Sequence, residues 1–564
     1  MSDPTRSWAR DAVIYEIYVR SFADSDGDGI GDLRGITQRL DHLVDLGVDA
    51  LWLTPFYRSP MADGGYDIAD HRDVDPMFGT LADFDALLAA AHARGLRVII
   101  DIVPNHVSSQ HPWFVAAANA EPGSPERQRF HIRKGGSEPP NDWQSVFHGP
   151  AWTRLPDGEW YLHLFAPEQP DLNWDHPDVR AEFADILRFW LDRGVDGIRI
   201  DVAHGLVKAP GLPDVGHSAG LLEGASTPYF DQDGVHEIYR QWRSILDEYT
   251  PERIAVAEAW VNGPARAARY VRPDELHQAF NFAFLGTPWS APDYRRIIDE
   301  SLAAMAAVGA PATWVLSNHD VVRHASRLAT GRGGVAGGAS ATDGAAAADR
   351  DLGLRRARAA ILLTLALPGS VYLYQGEELG LPEVFDLPPQ ARQDPIFGRT
   401  KGAELGRDGC RVPLPWSGTE PPYGFGPPGS RPWLPQPADW AALTVEAQRN
   451  DPHSTLQLYR TALRLRRSAA QLGDGELRWW SAPDDSVLVF ERPGGTTPGN
   501  AQAADARAGG ATSSIVCAVN LGQHAVPAPA GELLVASGPL VDGALPPDTA
   551  GWWSVPAIGG TPPM

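Results

Sequence analysis

The stretch Gly197-Ile-Arg-Ile-Asp201 reads as a buried β-strand, yet it carries a cation and a carboxylate. It follows the turn-like run Arg193-Gly-Val-Asp196. Side chains alternate faces along a strand, so Gly197, Arg199 and Asp201 share one face and Ile198, Ile200 and Val202 the other. An unpaired buried charge costs several kcal/mol, on the order of a small protein's whole margin of stability. Arg199 and Asp201 must therefore compensate each other, face a cleft that solvent reaches, or both. A structural ion pair with Asp201 capping the next helix would satisfy the same local pattern, so the other elements decide.

Those elements follow a rhythm. Ala12 to Val19 is a first strand, Ile36 to Leu46 an amphipathic helix stopped by Gly47, and Ala50 to Thr54 a second strand. Asp83 to Arg94 with Gly95 is a second helix, and Leu96 to Val103 a third strand. From Asn105 to about Asp175 the rhythm stops and Pro, Gly, Trp and His take over. A stretch that long inside a compact domain reads as an inserted subdomain. A helix at Val179 to Arg193 leads back to Gly197. Arg253 to Glu258, Gln278 to Leu285 and Ala312 to Asn318 read as the fifth to seventh strands. The helix Leu354 to Leu367 and the strand Ser370 to Tyr374 complete eight strand–helix units, which close naturally into a barrel. An open doubly wound sheet is disfavoured because no Gly-x-Gly-x-x-Gly follows the first strand. The Gly/Ala-rich run 331–351 is expected to be a mobile loop beside the cleft. Thr455 to Arg466 is a helix. After Gly475 come short β runs at Leu477 to Trp480, Ser486 to Glu491, Ser514 to Val519 and Leu533 to Ala536, which read as a terminal β-sandwich. The expected fold is α/β: a (β/α)8 TIM barrel in residues 1–104 and 176–474, a subdomain in 105–175 after the third strand, and an antiparallel β domain in 475–564.

Composition excludes several classes of function. A net charge of −23 opposes binding to nucleic acid or anionic membrane and suits a neutral substrate with a bound cation. Two cysteines, Cys410 and Cys517, make neither a disulfide framework nor a zinc site. The N-terminal residues show no apolar targeting segment and no run reaches the roughly 20 apolar residues of a membrane span, so the expected compartment is the cytoplasm. Nineteen Trp are mostly core material, but an indole face also suits the apolar face of a sugar. Asp24-Ser-Asp-Gly-Asp-Gly-Ile-Gly-Asp32 crowds four carboxylates into nine residues, which repel without a cation. Asp24, Asp26, Asp28 and Asp32 would give side-chain oxygens and Ile30 its carbonyl to a metal ion, as at the start of a calcium loop, although the twelfth position is Gly35 rather than Glu.

In a barrel of this kind the chemistry lies at the C-terminal ends of the strands. Asp101 and His106 end the third strand, Arg199, Asp201 and His204 the fourth, Glu258 the fifth, and Asn318, His319 and Asp320 the seventh. Four such ends on one rim are hard to explain as caps.

These residues fall in specific motifs: Asp101-Ile-Val-Pro-Asn-His106, Gly197-Ile-Arg-Ile-Asp201, Glu258-Ala-Trp260, Ser317-Asn-His-Asp320, and Gln169-Pro-Asp-Leu-Asn173 within the insertion. In combination and order they resemble the α-glucosidases of the α-amylase superfamily, glycoside hydrolase family 13, over nearly the whole chain. The resemblance implies a barrel with a subdomain after the third strand and a C-terminal β domain. It makes Asp201 the nucleophile, Glu258 the general acid/base and Asp320 the third carboxylate. Tyr66 would stack on the sugar, His106 and His319 would bond its hydroxyls, and Arg199 would hold the nucleophile. Asp67 and Arg411 would pair behind the non-reducing end and close the pocket, implying an exo-acting enzyme on a small α-glucoside, without organic cofactor. The Asp24 loop matches the family's structural metal loop, for a calcium or magnesium ion. Asp201 beside Arg199 should have a depressed pKa, whereas Glu258 has no cation near it in sequence. Retention of configuration would need the two carboxyls about 5–5.5 Å apart.

Two features separate the chain from its look-alikes. Arg411-Val-Pro-Leu-Pro-Trp416 stands where many of that family have Arg-Thr-Pro-Met-Gln-Trp, so the pocket rim differs. Val202 resembles α-1,6-acting members, but the linkage, like the choice among maltose, isomaltose and sucrose, stays open. A glucosyltransferase or isomerase of the trehalose synthase or amylosucrase kind would use the same carboxylates. A non-catalytic barrel would be expected to lack one of them.

Overall fold

The computed structural model describes residues 7–216, 227–330, 339–340, 349–494 and 513–556. Eight parallel strands form its central sheet: β1 (Val13–Ile17), β2 (Ala50–Leu53), β3 (Arg97–Ile102), β4 (Gly197–Ile200), β5 (Ile254–Ala257), β6 (Gln278–Ala279), β7 (Thr313–Val315) and β8 (Ser370–Tyr374). Their order is β6-β5-β4-β3-β2-β1-β8-β7. Between β6 and β7 the ring is joined by the Asn281 N–H donating to the Thr313 carbonyl at 3.0 Å. The sheet is thus an almost closed barrel.

Inside it pack Ile14, Trp52, Ile99, Ile254, Val256, Val315 and Tyr372. Gly197 belongs to this face because a Cβ there would stand 2.8 Å from the Ile254 side chain and 3.2 Å from that of Ile99. The outward faces of the strands join the main core with the surrounding helices. Helix α1 (Leu33–Leu46) starts three residues before its apolar stripe because Asp32 caps it, accepting the Gly35 N–H. Gly47 ends it at φ +96°. Helix α2 (Leu81–Ala93) likewise starts early, on a capping box of Thr80 and Asp83.

The sixth strand is a correction. Gln278 to Leu285 reads as one apolar run, but only Gln278–Ala279 is strand, and Phe282–Leu285 is a helical turn. The Asn281 side chain accepts the Phe284 N–H at 2.9 Å and so starts that turn. Between β3 and helix α3 (Pro177–Asp192) lies a small antiparallel sheet in which Trp160–Leu162 is flanked by Ile132–Arg133 and Trp152–Arg154. Of the Gly/Ala-rich run, 331–338 and 341–348 lie outside the described residues, so its expected mobility does too. Ala339–Ser340 pairs antiparallel with Glu404–Gly406.

The C-terminal β domain is one five-stranded antiparallel sheet, in the order Arg478–Trp479, Val487–Arg492, Ser513–Asn520, Thr549–Pro556 and Glu532–Ala536. The second layer is only a ribbon of Val526–Pro527 and Ala544–Leu545. One face, with Val489, Val516 and Trp553, packs on that ribbon. The other, with Phe490, Cys517 and Trp552, joins the main core, and Trp552 Nε1 donates to the Leu362 carbonyl at 3.0 Å.

Just past β8, Glu377 is buried, accepts the Tyr374 N–H at 3.1 Å, and is pushed up by burial to about 8. The folded chain therefore holds this proton more tightly than the unfolded chain, where a glutamate titrates near about 4.3. That stabilisation is complete below about pH 4 and is lost as pH rises through about 8. Glu377→Gln is expected to flatten the fall in melting temperature between about pH 6 and about pH 9. A fall as steep as the parent's would show that the acid is not held protonated.

Candidate active site

Arg199 is the centre of the site. It is fully buried, and its Cζ lies 5.0 Å from the ring centroid of Trp52. Its register partner on β3 is Asp101. Nη1 donates to both Asp101 oxygens, at 2.9 and 3.1 Å, and to Asp201 Oδ1 at 2.6 Å. Nη2 stands 3.0 Å from Glu258 Oε2, an ionic contact rather than an aligned hydrogen bond. One guanidinium thus touches carboxylates from the ends of three adjacent strands. Glu258, which no cation neighbours in sequence, has one in space.

Backbone geometry aims the second partner of Glu258. The strand stops at Ile200, and Val202 takes φ +44°, in the left-handed region that a β-branched residue rarely enters, at a cost of about 1–3 kcal/mol. In this conformation its N–H donates to Glu258 Oε2 at 2.8 Å. Trp260 Nε1 donates to Oε1 at 2.9 Å, and the indole stacks on Phe282.

Asp320 accepts from Arg407 Nη1 at 3.1 Å and Arg411 Nη2 at 2.8 Å, with His319 Nε2 3.3 Å away. Burial would raise its pKa, but His319, Arg407 and Arg411 together hold it below the ordinary carboxylate range. Asp201 goes the other way, against the expectation from its neighbour Arg199. Burial pushes it well up; Arg199 opposes this, and Glu258, Asp101 and Asp320 add to it. Asp101 is likewise pushed up to about 7, by burial first. A single buried guanidinium shared by three carboxyls cannot keep them all ionised.

The residues expected to bind a sugar lie around this cluster. Tyr66 donates to Asp101 Oδ2 at 3.0 Å and stacks parallel to His319, centroids 5.2 Å apart. His106 Nε2 is 3.2 Å from the Tyr66 carbonyl and 3.0 Å from Gln169 Nε2, and burial lowers its pKa to about 4, so it is neutral at pH 7. The motif around Gln169 fastens the subdomain down. Gln169 donates to Asp63 Oδ2 at 3.1 Å, and Asp171 pairs with the buried Lys208 at 2.8 Å.

The expected pair Asp67–Arg411 does not form. Asp67 is buried and accepts from Ser59 Oγ and the N–H groups of Ala62 and Asp63, at 2.9 to 3.0 Å; it builds the loop. Arg411 turns to Asp320 and to the His319 carbonyl. The closing pair is Asp63–Arg407: Arg407 Nη2 meets Asp63 Oδ1 at 2.5 Å and its Nε meets Asp394 Oδ2 at 2.6 Å. Arg407 therefore spans three carboxylates and lines a cleft of about 680 Å³. Asp63, Tyr66, His106, Asp201, Glu258, Asp320 and Arg407 line the cleft with an otherwise apolar set that includes Phe147, Phe165, Val202, Trp260, Val321 and Ile396. Arg199, His319, Asp67 and Arg411 stand behind this lining. Asp63 and Arg407 escaped the sequence reading although each is four residues from the residue it named.

The acidic loop gathers three carboxylates rather than four. Asp24, Asp26 and Asp28 bring one oxygen each to within 4.8 Å of one another. Asp32 is turned to Ser25 and the α1 N-terminus, and Ile30 donates its N–H to Asp28. Burial, then the charges on Asp26, Asp24 and Asp32, push Asp28 up despite the Ile30 bond. A hard divalent cation fits such an all-oxygen set.

With this geometry in place, the chain can be compared with known proteins. A family profile described as the alpha amylase catalytic domain matches residues 16–475. A Rhizobium meliloti (strain 1021) protein named "Probable alpha-glucosidase" is 39% identical, over 87% of this chain and 88% of its own length. Oligo-1,6-glucosidase of Parageobacillus thermoglucosidasius is 35% identical, over 82% of this chain and 84% of its own. The solved structure of XgtA, an alpha-glucosyl transfer enzyme, is 35% identical with a TM-score of 0.82, covering 97% of this chain and all of that one. Barrel, rim and likeness agree: the chain belongs to the alpha-amylase family and is a glycoside hydrolase of family 13.

Proposed function

We propose that the protein is a retaining, exo-acting α-glucosidase that removes terminal glucose from short α-glucosides such as maltose, isomaltose or sucrose. One observation carries the reading: Asp201 and Glu258 line the same cleft, and a single guanidinium touches both. The proton that the crowded carboxyls retain sits on Glu258 in this reading, so Asp201 is the ionised partner of Arg199, which occupies its Oδ1 and leaves Oδ2 to attack the anomeric carbon. Glu258, protonated, gives its proton to the leaving oxygen as the glycosidic bond breaks. The glucosyl–Asp201 ester then yields to a water whose proton returns to Glu258, and glucose departs with its configuration retained. Asp320, ionised between Arg407 and Arg411, serves as the third carboxylate and bonds the sugar hydroxyls rather than sharing in proton transfer. Tyr66 and His106 complete the sugar pocket, and neutral His106 can donate or accept there. The Asp63–Arg407 pair supports exo action because a buried ion pair in the cleft lining would bar a longer chain from extending past a bound glucose.

A second reading has its own support. Val202, Trp260 and Val321 share the cleft with the two acids, and this largely apolar lining offers water few hydrogen bonds. XgtA is an alpha-glucosyl transfer enzyme. Transfer of glucose to a sugar or alcohol would use the same ester and the same acid. Product analysis on α-1,2, α-1,3, α-1,4 and α-1,6 disaccharides separates the two readings and fixes the linkage.

We also propose that Asp24, Asp26 and Asp28 hold a structural calcium or magnesium ion, whose charge would offset their mutual repulsion and which takes no part in the reaction.

Asp201→Asn is expected to lower turnover of an aryl α-glucoside by about 10³-fold or more while the circular dichroism stays that of the parent. Turnover at the parent's rate would refute the assignment. Arg407→Ala is expected to lower kcat/KM for maltose at least about 100-fold, as one partner of a buried pair is left unpaired. Asp67→Asn should act on melting temperature more than on kcat/KM, and the opposite ranking would restore Asp67 to the pocket. A chelator is expected to lower the melting temperature of the parent by a few degrees but not that of Asp26→Asn; equal effects on both would remove the metal from this loop.

A further inference from the structure

The active-site cluster holds one buried acid that the proposed reaction does not use. Glu16 lies on the inner face of β1, in register with Trp52 on β2 and Tyr374 on β8, and is 1% exposed. Its Oε1 stands 2.5 Å from Nδ1 of His319 and 3.4 Å from the His319 N–H. The imidazole stacks on Tyr66, at 5.2 Å and 9° between planes, and on Tyr18, at 5.7 Å and 22°, and is fully buried, which holds the ring in this orientation. Its other nitrogen, Nε2, is 3.3 Å from Asp320 Oδ2 and has no aligned hydrogen-bond partner among the described residues.

Proton counting narrows the choices. Were Glu16 ionised and His319 neutral, the one ring proton would sit on Nδ1 facing Glu16. The bare lone pair of Nε2 would then face the ionised Asp320 carboxylate, two acceptors opposed in a buried site. One more proton in the pair removes the conflict. Nδ1 and Oε1 then have a hydrogen between them, and Nε2 carries a hydrogen beside Asp320 that no protein group takes up among the described residues. We infer that Glu16 is a positioning residue: it and His319 share a proton across Oε1 and Nδ1, which keeps a hydrogen on Nε2, beside Asp320, for a substrate hydroxyl. The surroundings agree. Burial pushes Glu16 well up, Asp320 and Asp101 add to this, and Arg199 offsets only part. Burial lowers His319 well below the ordinary histidine range. This inference rests on the glucosidase reading only for what Nε2 bonds in the substrate.

Neutron diffraction from the deuterated full-length protein at about pH 7 tests it without substrate. A deuteron between Oε1 and Nδ1 and a second on Nε2 are expected; a bare Nε2 overturns the inference, whatever the enzyme cleaves. Kinetics give the second arm. Glu16→Gln offers an N–H to Nδ1 and is expected to keep kcat for an aryl α-glucoside within about threefold, whereas Glu16→Leu should lower it about 10–100-fold with KM little changed. Equal losses in both variants, or a fall in melting temperature with kcat unchanged in both, would mean that Glu16 is only structural. If Glu16→Leu does not fold, the deuteron positions in the parent decide. A parent without α-glucosidase activity would defeat the functional reading and leave the proton assignment standing.

Discussion

Everything at the mouth of the barrel depends on the buried cation of Arg199. Removing it would leave Asp101, Asp201 and Glu258 crowded together without compensation, at a cost of about 3–5 kcal/mol for a broken buried pair. Removing the carboxylates would strand the cation over Trp52. The barrel resolves this by making β3, β4 and β5 neighbours, so that three strand ends deliver their charges to one place. The strand ends are tied by the same logic. Asp201 N–H donates to the Ile102 carbonyl and Glu258 N–H to that of Ile200, which extends the ladder one residue beyond each strand.

Much of this was legible in the sequence, because the periodic elements carry their own stops. Gly47, Gly95 and the apolar runs of β3 and β8 marked their elements to within a few residues. The sixth strand was not legible. An apolar run of eight fits strand or helix, and the deciding bond, from Phe284 N–H to the Asn281 side chain, is a local cap inside it. The last strand, Thr549–Pro556, escaped because its pairing with Ser513–Asn520 spans a long chain separation.

The rim residues divide in the same way. Asp201, Glu258 and Asp320 stood out because each is an ionisable group at the end of an apolar run. Asp63 and Arg407 are far apart in sequence, and nothing local says which Arg of Gly406-Arg-Asp-Gly-Cys-Arg411 faces which Asp of Asp63-Gly-Gly-Tyr-Asp67. Only the folded loops decide it, with Asp67 held by backbone N–H groups and Arg411 by the His319 carbonyl. The direction of the Asp201 pKa shift was misjudged for a related reason: burial, which only folding creates, raises it first. Arg199 is two residues away, whereas the competing Asp101 and Glu258 are brought in by the sheet.

Arg407, braced against Asp63, Asp320 and Asp394, has a consequence for traffic. On the proposed exo reading, this brace plugs the far end of the chamber and leaves it a single doorway. A departing glucose would then block the next arrival, and such an enzyme would not thread along a polymer; its throughput at high sugar concentration would be set by how quickly the chamber empties.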